Sequence, residues 1–185
     1  MREKFSMGYI HVYTGNGKGK TTAALGLAFR ALGYGYTVKM LQFLKGPGKG
    51  ELGMVEYGEW LASKKFEGQL TIEPLGRPNF VNPKNPDPID IELAKKGVAR
   101  TLEIMGGNYP DVLILDELTV AYMFKLIDWN DIERILSSKP INMELVITGR
   151  GAPLALIQRA DLVTEMTQTK HYYERGVKAR QGIEY

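Results

Sequence analysis

The feature that most constrains this 185-residue chain is a loop rich in glycine and lysine at residues 15–22. An apolar run at residues 9–13 precedes it, and residues 23–32 after it have the pattern of a helix that Gly33 ends. A strand, a glycine loop, a Lys-Thr pair and a helix in this order are typical of a phosphate-binding loop. Glycines let consecutive backbone N–H groups point inward, and the helix N-terminus adds unpaired donors. We therefore predict that Lys20 binds terminal phosphates and that Thr21 offers its hydroxyl to Mg²⁺.

This loop is one residue shorter than the usual phosphate-loop pattern. Only three residues separate Gly15 from Gly19, and Thr14 stands where the first glycine is expected. A glycine turn with an unrelated lysine is the alternative interpretation, which the flanking strand and helix disfavour. The shorter spacing predicts that a triphosphate is held in an unusual way.

The composition favours a single domain over residues 1–185 and excludes several kinds of site. The chain has no cysteine, which excludes disulfides, thiolate metal ligands and cysteine nucleophiles. Two histidines, His11 and His171, are too few for a histidine metal cluster, and we interpret His11 as structural because it lies within a strand. The formal charge of +3 does not by itself indicate a nucleic-acid partner.

No signal-peptide pattern and no membrane-length apolar stretch is found in the sequence. We therefore expect a cytoplasmic protein without a membrane partner. Residues 1–7 are expected to form a mobile segment or a flap over the site.

Two carboxylates follow the most apolar run of the chain. Residues 112–115, after Asp111, have the continuous apolar character of a parallel strand buried on both faces, and Asp116 and Glu117 follow at its end. In phosphate-loop proteins, acidic residues at this place hold Mg²⁺ or its water ligands. The alternative is an ordinary strand that ends in acidic turn residues.

The remaining segments alternate between strand and helix patterns. Further strands are predicted at residues 37–43, 70–73, 145–148 and 162–166, and helices at residues 90–105, after Asp128 and after Pro153. This alternation predicts a three-layer α/β domain with a mostly parallel sheet. Gln42, Lys45 and Arg150 are then expected at the ligand crevice, because they lie near the carboxyl ends of strands. Arg150 could equally be an ordinary surface arginine.

Three segments have no regular pattern. Residues 45–51 imitate a second phosphate loop but lack the hydroxyl residue and the helix, so we expect a flexible loop. Residues 76–88 contain four prolines and Phe80, and form either a working loop or a surface loop with a buried aromatic anchor. Residues 170–185 are charged and aromatic. They could be a nucleic-acid arm, a substrate rim or a solvated tail, and their mixed charge weakens the first interpretation.

With these motifs in order, the sequence resembles the phosphate-loop ATP:corrinoid adenosyltransferases over nearly its whole length. The matching segments are residues 14–22, 42–46, 115–119, 148–151 and 176–183. The resemblance implies a RecA-like phosphate-loop NTPase fold, a homodimer, ATP with Mg²⁺, and no nucleic acid. It also implies a corrinoid substrate reduced to Co(I), with a flavoprotein reductase supplying the electrons. Co(I) then attacks the ribose C5′ of an ATP bound in reversed orientation, and tripolyphosphate leaves as adenosylcobalamin forms.

The resemblance also assigns roles to individual residues. Lys20, Thr21 and Glu117 are expected to take part in the reaction, and Mg²⁺ is expected on Thr21 with Asp116 or Glu117. The family displaces the lower axial ligand of the corrinoid with two aromatic residues on one loop. Phe80 lies in the corresponding loop, which lacks the second aromatic residue. The nucleotide is expected to contact Gly15, Asn16, Gly17, Lys18, Gly19, Lys20, Thr21, Thr22, Arg30 and Arg150.

Three other functions are compatible with these motifs. A kinase or ATPase would use the same crevice for attack on the γ-phosphorus, and would produce ADP instead of tripolyphosphate. A RecA-like ATPase stimulated by nucleic acid would bind single strands with a strong dependence on salt. A non-catalytic carrier would bind a corrinoid or a nucleotide without turnover.

Overall fold

Six parallel strands form the central sheet of the computed structural model, which describes residues 5–50 and 53–185. The strands of this sheet are β1 (Ile10–Thr14), β2 (Val38–Phe43), β5 (Leu70–Leu75), β6 (Val112–Asp116), β7 (Glu144–Thr148) and β8 (Leu162–Glu165). Strands β3 (Gly48–Gly50) and β4 (Gly53–Val55) form a separate pair. The helices are α1 (Lys20–Gly33), α2 (Gly58–Ser63), α3 (Pro88–Gly106), α4 (Leu118–Met123), α5 (Trp129–Ser138) and α6 (Leu154–Arg159). Short 3₁₀ turns cover Lys64–Phe66 and Tyr172–Arg175.

The sheet has the strand order β5-β2-β6-β7-β1-β8, so β1 and β2 are not neighbours although they follow each other in the chain. Helix α1 crosses over between them. Because all six strands are parallel, their carboxyl ends meet at one edge of the sheet. The segments after β1, β2, β6 and β7 are therefore brought together at that edge.

The core has two apolar clusters, one on each face of the sheet, which makes the domain three-layered. Consecutive residues of β6 alternate between them: Leu113 and Leu115 pack toward α3, α4 and α5, whereas Ile114 packs toward α1. All three are fully buried. Burial of each such side chain stabilises the fold by about 1.5–3 kcal/mol. The continuous apolar run of this strand follows from its burial on both faces.

The predicted α/β class and parallel sheet are confirmed, and local signals explain most element boundaries. Helix α3 begins at Pro88, two residues before the predicted start, because proline is favoured in the first turn. Helix α5 has a capping box, in which the Asp128 side chain accepts from Asp131 N and the Asp131 side chain accepts from Asp128 N. Helix α2, helix α4 and the β3–β4 pair were not predicted.

The expectation of an irregular loop over residues 45–51 was wrong for residues 48–50, which form β3. This strand pairs antiparallel with β4, with Gly48 opposite Val55 and Gly50 opposite Gly53. Residue 51 lies outside the described residues. Glycines in both strands conceal the pairing, because they carry neither alternation nor β propensity.

At the N-terminus, residues 1–4 of the predicted mobile segment lie outside the described residues, and the Phe5 ring stacks on Tyr36 with centroids 4.3 Å apart. His11 has the expected structural role, since its Nε2 lies 2.6 Å from Glu144 Oε1. Within residues 5–50 and 53–185, no helix combines the length and the apolar character that crossing a bilayer requires.

Candidate active site

The loop between β1 and α1 folds around the Lys20 ammonium group. Lys20 Nζ donates to the main-chain oxygens of Gly15 at 2.8 Å and Gly17 at 2.7 Å, and the side chain is buried. Gly15 has a φ of 95°, and a Cβ atom there would lie 2.5 Å from Met166 O, so only glycine fits. Helix α1 begins after Gly19 without a side-chain cap. Its first N–H groups therefore remain available to an anion.

Burial lowers the pKa of Lys20 below its ordinary value. The negative charge of Glu117 opposes this shift, the positive charge of Arg150 adds to it, and Asp116 opposes it. A buried ammonium whose charged form is disfavoured gains from a nearby anion. The recess formed by the loop, Lys20 and the start of α1 is thus suited to phosphate.

Asp116, at the end of β6, is the centre of a buried hydrogen-bond network. Its Oδ1 accepts from Thr21 Oγ1 at 2.8 Å and from Thr148 Oγ1 at 2.7 Å. Its Oδ2 accepts from Lys45 Nζ at 2.7 Å and from Gln42 Nε2 at 3.2 Å. Burial alone would raise the pKa of Asp116, but the charge and hydrogen bond of Lys45 and the two hydroxyl donors together hold it below its usual value. Asp116 is therefore an ionised carboxylate with four donors.

Glu117, the next residue, has the opposite electrostatic behaviour. Burial and then the negative charge of Asp116 raise its pKa, and Lys45, Lys20 and Arg150 offset only part of the shift. Its backbone is left-handed, with a φ of 61°, and its N–H donates to Thr148 Oγ1 at 3.0 Å. The tight turn after β6 thus places two adjacent carboxylates in different environments.

Oxygen donors converge where the loop meets β6. The Thr21 hydroxyl and the Asp116 carboxylate are in direct contact, and Mg²⁺ prefers such hard oxygen ligands together with phosphate oxygens and water. In the part of the chain that the structure describes, no group of three or more histidine, aspartate or glutamate side chains is arranged to hold a metal on its own. The donor set therefore fits Mg²⁺ that arrives with a phosphate ligand.

Helix α2 supplies an outer layer to this network that sequence patterns did not reveal. Gln42 Nε2 also donates to Glu59 Oε1 at 3.0 Å, and the Trp60 indole N–H donates to Gln42 Oε1. Lys45 Nζ lies 4.0 Å from Glu59 Oε1 and 5.5 Å from the centroid of the Tyr57 ring. Helix α2 has only six residues and buries none of them. Its sequence therefore lacks the apolar periodicity from which a helix is predicted.

Arg150 and Arg30 differ in their distance from the recess. Thr119 Oγ1 donates to Arg150 O at 2.8 Å, which fixes the turn after β7, and the charge of the exposed Arg150 side chain reaches Lys20 and Glu117. Arg30 lies in the last turn of α1, ten residues after Lys20 and about 15 Å along the helix axis. The structure brings Arg150 to the recess and leaves Arg30 at the far end of α1.

The C-terminal segment contacts the loop and is not a detached tail. Lys18 Nζ donates to Ile183 O, within residues 170–185, at 3.3 Å. Nearer the sheet, Gly17 N donates to the main-chain oxygen of Met166, directly after β8, at 2.7 Å. The Arg180 guanidinium lies 4.9 Å from the centroid of the Tyr172 ring. The side chains of Asn16, Lys18 and Thr22 are exposed around the recess, which is where contacts to a bound nucleotide are possible.

The proline-rich loop after β5 presents Phe80 to solvent, with 66% of the residue exposed. The anchor of this loop is instead the neighbouring Val81, which packs against the core, so Phe80 is not the buried anchor considered above. The base of the loop is closed by Arg77, which donates to Asp90 Oδ1 at 2.8 Å, to Asp90 Oδ2 at 2.7 Å and to Asp87 at 2.5 Å. A charged clamp thus holds a loop with an exposed aromatic ring.

Residues 6–185 match the model of the family described as ATP:corrinoid adenosyltransferase BtuR/CobO/CobP. The chain belongs to this family. A corrinoid adenosyltransferase from Sinorhizobium sp. is 35% identical over 180 residues, which cover 96% of this chain and 80% of the relative. A corrinoid adenosyltransferase from Escherichia coli K12 is 33% identical over 179 residues, which cover 96% of this chain and 86% of the relative. The predicted family and transferase activity, the adenosylation of corrinoids, are confirmed, and the kinase and nucleic-acid alternatives are not favoured.

Solved structures agree on the fold at much lower sequence identity. The flagellar accessory protein FlaH from Methanocaldococcus jannaschii has a TM-score of 0.57 and 14% identity, over 86% of this chain and 71% of that one. A KaiC-like protein, PH0186, from Pyrococcus horikoshii OT3 has a TM-score of 0.53 and 16% identity, over 87% of this chain and 73% of that one. Both similarities indicate a fold like that of P-loop NTPases.

Proposed function

We propose that this chain transfers the 5′-deoxyadenosyl group of ATP to the Co(I) centre of a reduced corrinoid and releases tripolyphosphate. Besides family membership, one observation carries the proposal. The buried Lys20 ammonium and the Thr21–Asp116 contact lie at the same short loop, at the start of a helix without a side-chain cap. This combination supports binding of a highly charged phosphate chain.

The loop acts on the leaving group in this proposal. Lys20 exchanges the two carbonyl oxygens of Gly15 and Gly17 for phosphate oxygens, and the N–H groups at the start of α1 add further donors. The Co(I) electron pair forms the bond to C5′, the C5′–O bond breaks, and its electron pair leaves with tripolyphosphate. Donors fixed in advance around the triphosphate stabilise the charge that develops there.

We assign Mg²⁺ to Thr21 and Asp116, where it would neutralise part of the triphosphate charge. Glu117 is adjacent, and a cation at this place would favour its ionised form by lowering its raised pKa. Around the recess, Arg150 and the exposed Asn16, Lys18 and Thr22 are the proposed nucleotide contacts. For Arg30 this role stays a prediction, since α1 holds it at the end remote from the loop.

The nucleophile belongs to the corrinoid, so the protein needs no acid or base acting on carbon. Its task is to hold C5′ against the cobalt and to exclude water. We propose that Phe80 contacts the corrinoid, because its ring is exposed on a loop that follows the carboxyl end of β5. A homodimer and a flavoprotein reductase partner are proposed from the family resemblance alone.

The test is an anaerobic incubation with ATP, Mg²⁺ and chemically reduced cobalamin, followed through the absorption of Co(I) and by quantifying the phosphate products. We expect the Co(I) spectrum to disappear with one tripolyphosphate released for each cobalt alkylated. Release of ADP with phosphate or with a phosphorylated acceptor, without cobalt alkylation, would identify a kinase or ATPase and overturn the proposal.

A further inference from the structure

The four donors around the buried Asp116 carboxylate leave no free position for a metal ion. Thr21 and Thr148 share Oδ1, and Lys45 and Gln42 share Oδ2. An arriving cation must therefore replace one donor. Only Lys45 among the four carries a charge, and it stabilises the carboxylate in the way that a metal would.

We propose that Lys45 is an internal counter-cation, which neutralises Asp116 in the metal-free protein and moves to a second position beside Glu59 and Tyr57 when Mg²⁺ binds. This inference rests on the proposed Mg²⁺ role of Thr21 and Asp116. It goes further, because it assigns a function to Lys45 and to the α2 side chains.

The roles of the other three donors explain why Lys45 is the one that moves. Thr21 stays beside Asp116 because it is the other residue assigned to the Mg²⁺. The Thr148 hydroxyl also accepts from Glu117 N, and Gln42 is held by the Trp60 indole and by Glu59. Lys45 alone combines a flexible four-carbon side chain with a second set of partners already in place.

The second position consists of Glu59 Oε1, 4.0 Å from Lys45 Nζ, and the Tyr57 ring, whose centroid lies 5.5 Å from the same atom. A carboxylate and an aromatic face both attract an ammonium group. A short rotation of the Lys45 side chain therefore exchanges one carboxylate for another without exposing the charge to an apolar environment.

The consequence is that Mg²⁺ has to compete with a tethered cation. Mg²⁺ alone should bind weakly, and Mg²⁺ that arrives with a triphosphate should bind better because phosphate oxygens add ligands. Lys45 would thus prevent the site from holding metal without nucleotide, while keeping Asp116 ionised.

The first experiment compares Lys45→Met with the wild-type chain, without nucleotide or corrinoid. We expect Lys45→Met to unfold at a lower temperature than wild type in EDTA, because the buried Asp116 carboxylate has lost its cation. Addition of Mg²⁺ should raise the unfolding temperature of the variant again. The half-saturating concentration, measured by thermal shift with Mg²⁺ and by electron paramagnetic resonance with Mn²⁺, should fall by about tenfold or more. Lys49→Met, which removes an exposed lysine of the same segment, should behave as wild type.

The second experiment uses Glu59→Gln, which retains the hydrogen bond from Gln42 and removes the charge of the second position. We expect Mg²⁺ binding weakened by about twofold to fivefold, as for loss of a partly exposed ion pair. In a Trp129→Phe background, Trp60 fluorescence should change with Mg²⁺, since Lys45 moves toward the Tyr57 ring, whose centroid lies 4.7 Å from that of the Trp60 ring.

Equal Mg²⁺ affinity in the wild type, Lys45→Met and Glu59→Gln would overturn the inference about Lys45 and leave the proposed function intact. If Lys45→Met does not fold, Glu59→Gln decides, and unchanged or tighter Mg²⁺ binding in it would overturn the inference. Failure of every variant to bind Mg²⁺, even with ATP, would overturn the Mg²⁺ role itself.

Discussion

The Asp116 network and the Phe80 loop lie at the same edge of the sheet and are built in opposite ways. In the network, Asp116 is fully buried and each of its oxygens has two donors. In the loop, the aromatic ring is mostly exposed, and the polar contacts lie at the base, between Arg77 and two aspartates.

Packing of the core fixes the network in place and leaves the Phe80 ring free to contact a ligand. The residues of the network lie on β2, β6, β7 and the first turn of α1, with Lys45 just after β2. The packing of these elements fixes them before a ligand arrives. The loop contacts the core through Val81 and carries Phe80 outside it, so it can present the ring to a large substrate without disturbing the sheet. Changes in the network should therefore affect both stability and chemistry, whereas loss of the exposed Phe80 ring should affect corrinoid use alone.

The largest effect is expected for Lys20→Ala, which removes the buried cation of the recess. We expect adenosylation to fall by about a thousandfold or more, because the departing triphosphate loses its main charge partner. Turnover under anaerobic conditions and circular dichroism, which should show a retained fold, are the measurements. Lys64→Ala, at an exposed position, is the control. Near-normal turnover in Lys20→Ala would count heavily against the proposed site.

Asp116→Asn tests how much the buried network contributes to the free energy of unfolding. The amide removes the charge that four buried donors satisfy and turns its own NH₂ donor toward two of them. Breaking a buried pair in this way costs about 3–5 kcal/mol. Urea unfolding measures the change. Asp87→Asn, in the exposed clamp, should cost at most about 1 kcal/mol. Similar losses in both variants would refute the distinction between the two regions.

Phe80→Ala tests whether the exposed ring of the loop contributes to corrinoid use. We expect kcat/KM for the corrinoid to fall by about tenfold, because a contact of one aromatic face is lost, with the KM for ATP and the unfolding midpoint unchanged. Steady-state kinetics with each substrate varied in turn give the answer. Small and equal effects on both substrates would remove Phe80 from the mechanism.

Arg77→Met removes the clamp and keeps the ring. A less ordered loop should lower kcat/KM for the corrinoid by a few-fold, less than Phe80→Ala does. Stability should fall by about 3 kcal/mol, because the buried Asp90 carboxylate loses both of its hydrogen bonds from Arg77. The two substitutions combined should be no worse than Phe80→Ala alone, since both act through the same ring. A change in ATP affinity would contradict this assignment.

The smallest effect is on the pH dependence of stability, which should change with a substitution at Glu117 beside the network and not with one in the Phe80 loop. Because burial and Asp116 raise the pKa of Glu117, the folded protein favours its protonated form. Its contribution to stability is complete below the ordinary glutamate value of about 4.3 and is lost as the pH rises through the raised value. In EDTA, wild type should therefore lose stability relative to Glu117→Gln as the pH rises. The profile of Phe80→Ala should run parallel to wild type.

Much of the site could be predicted because its signals are local. The spacing of Gly15, Gly19 and Lys20 predicted an anion-binding loop, and the apolar run before Asp116 predicted a buried strand that ends in carboxylates. The role of Glu59, Trp60 and Thr148 could not be predicted, because a short helix without buried residues and a hydroxyl at a strand end have no periodic signal. The Phe80 loop was found from its prolines, but its anchor, Val81, was not.

Local sequence patterns predicted most strands and helices and the glycine loop, although not α2, α4 or the β3–β4 pair. The motifs together indicated the family. Which side chains come into contact depends instead on the fold as a whole. Thr21 and Asp116 are 95 residues apart, and Gln42 and Asp116 are 74 apart, yet each pair is joined by a hydrogen bond. The physical reason is that periodicity encodes which face of a segment is buried, whereas the order of strands in the sheet arises from packing of the whole core.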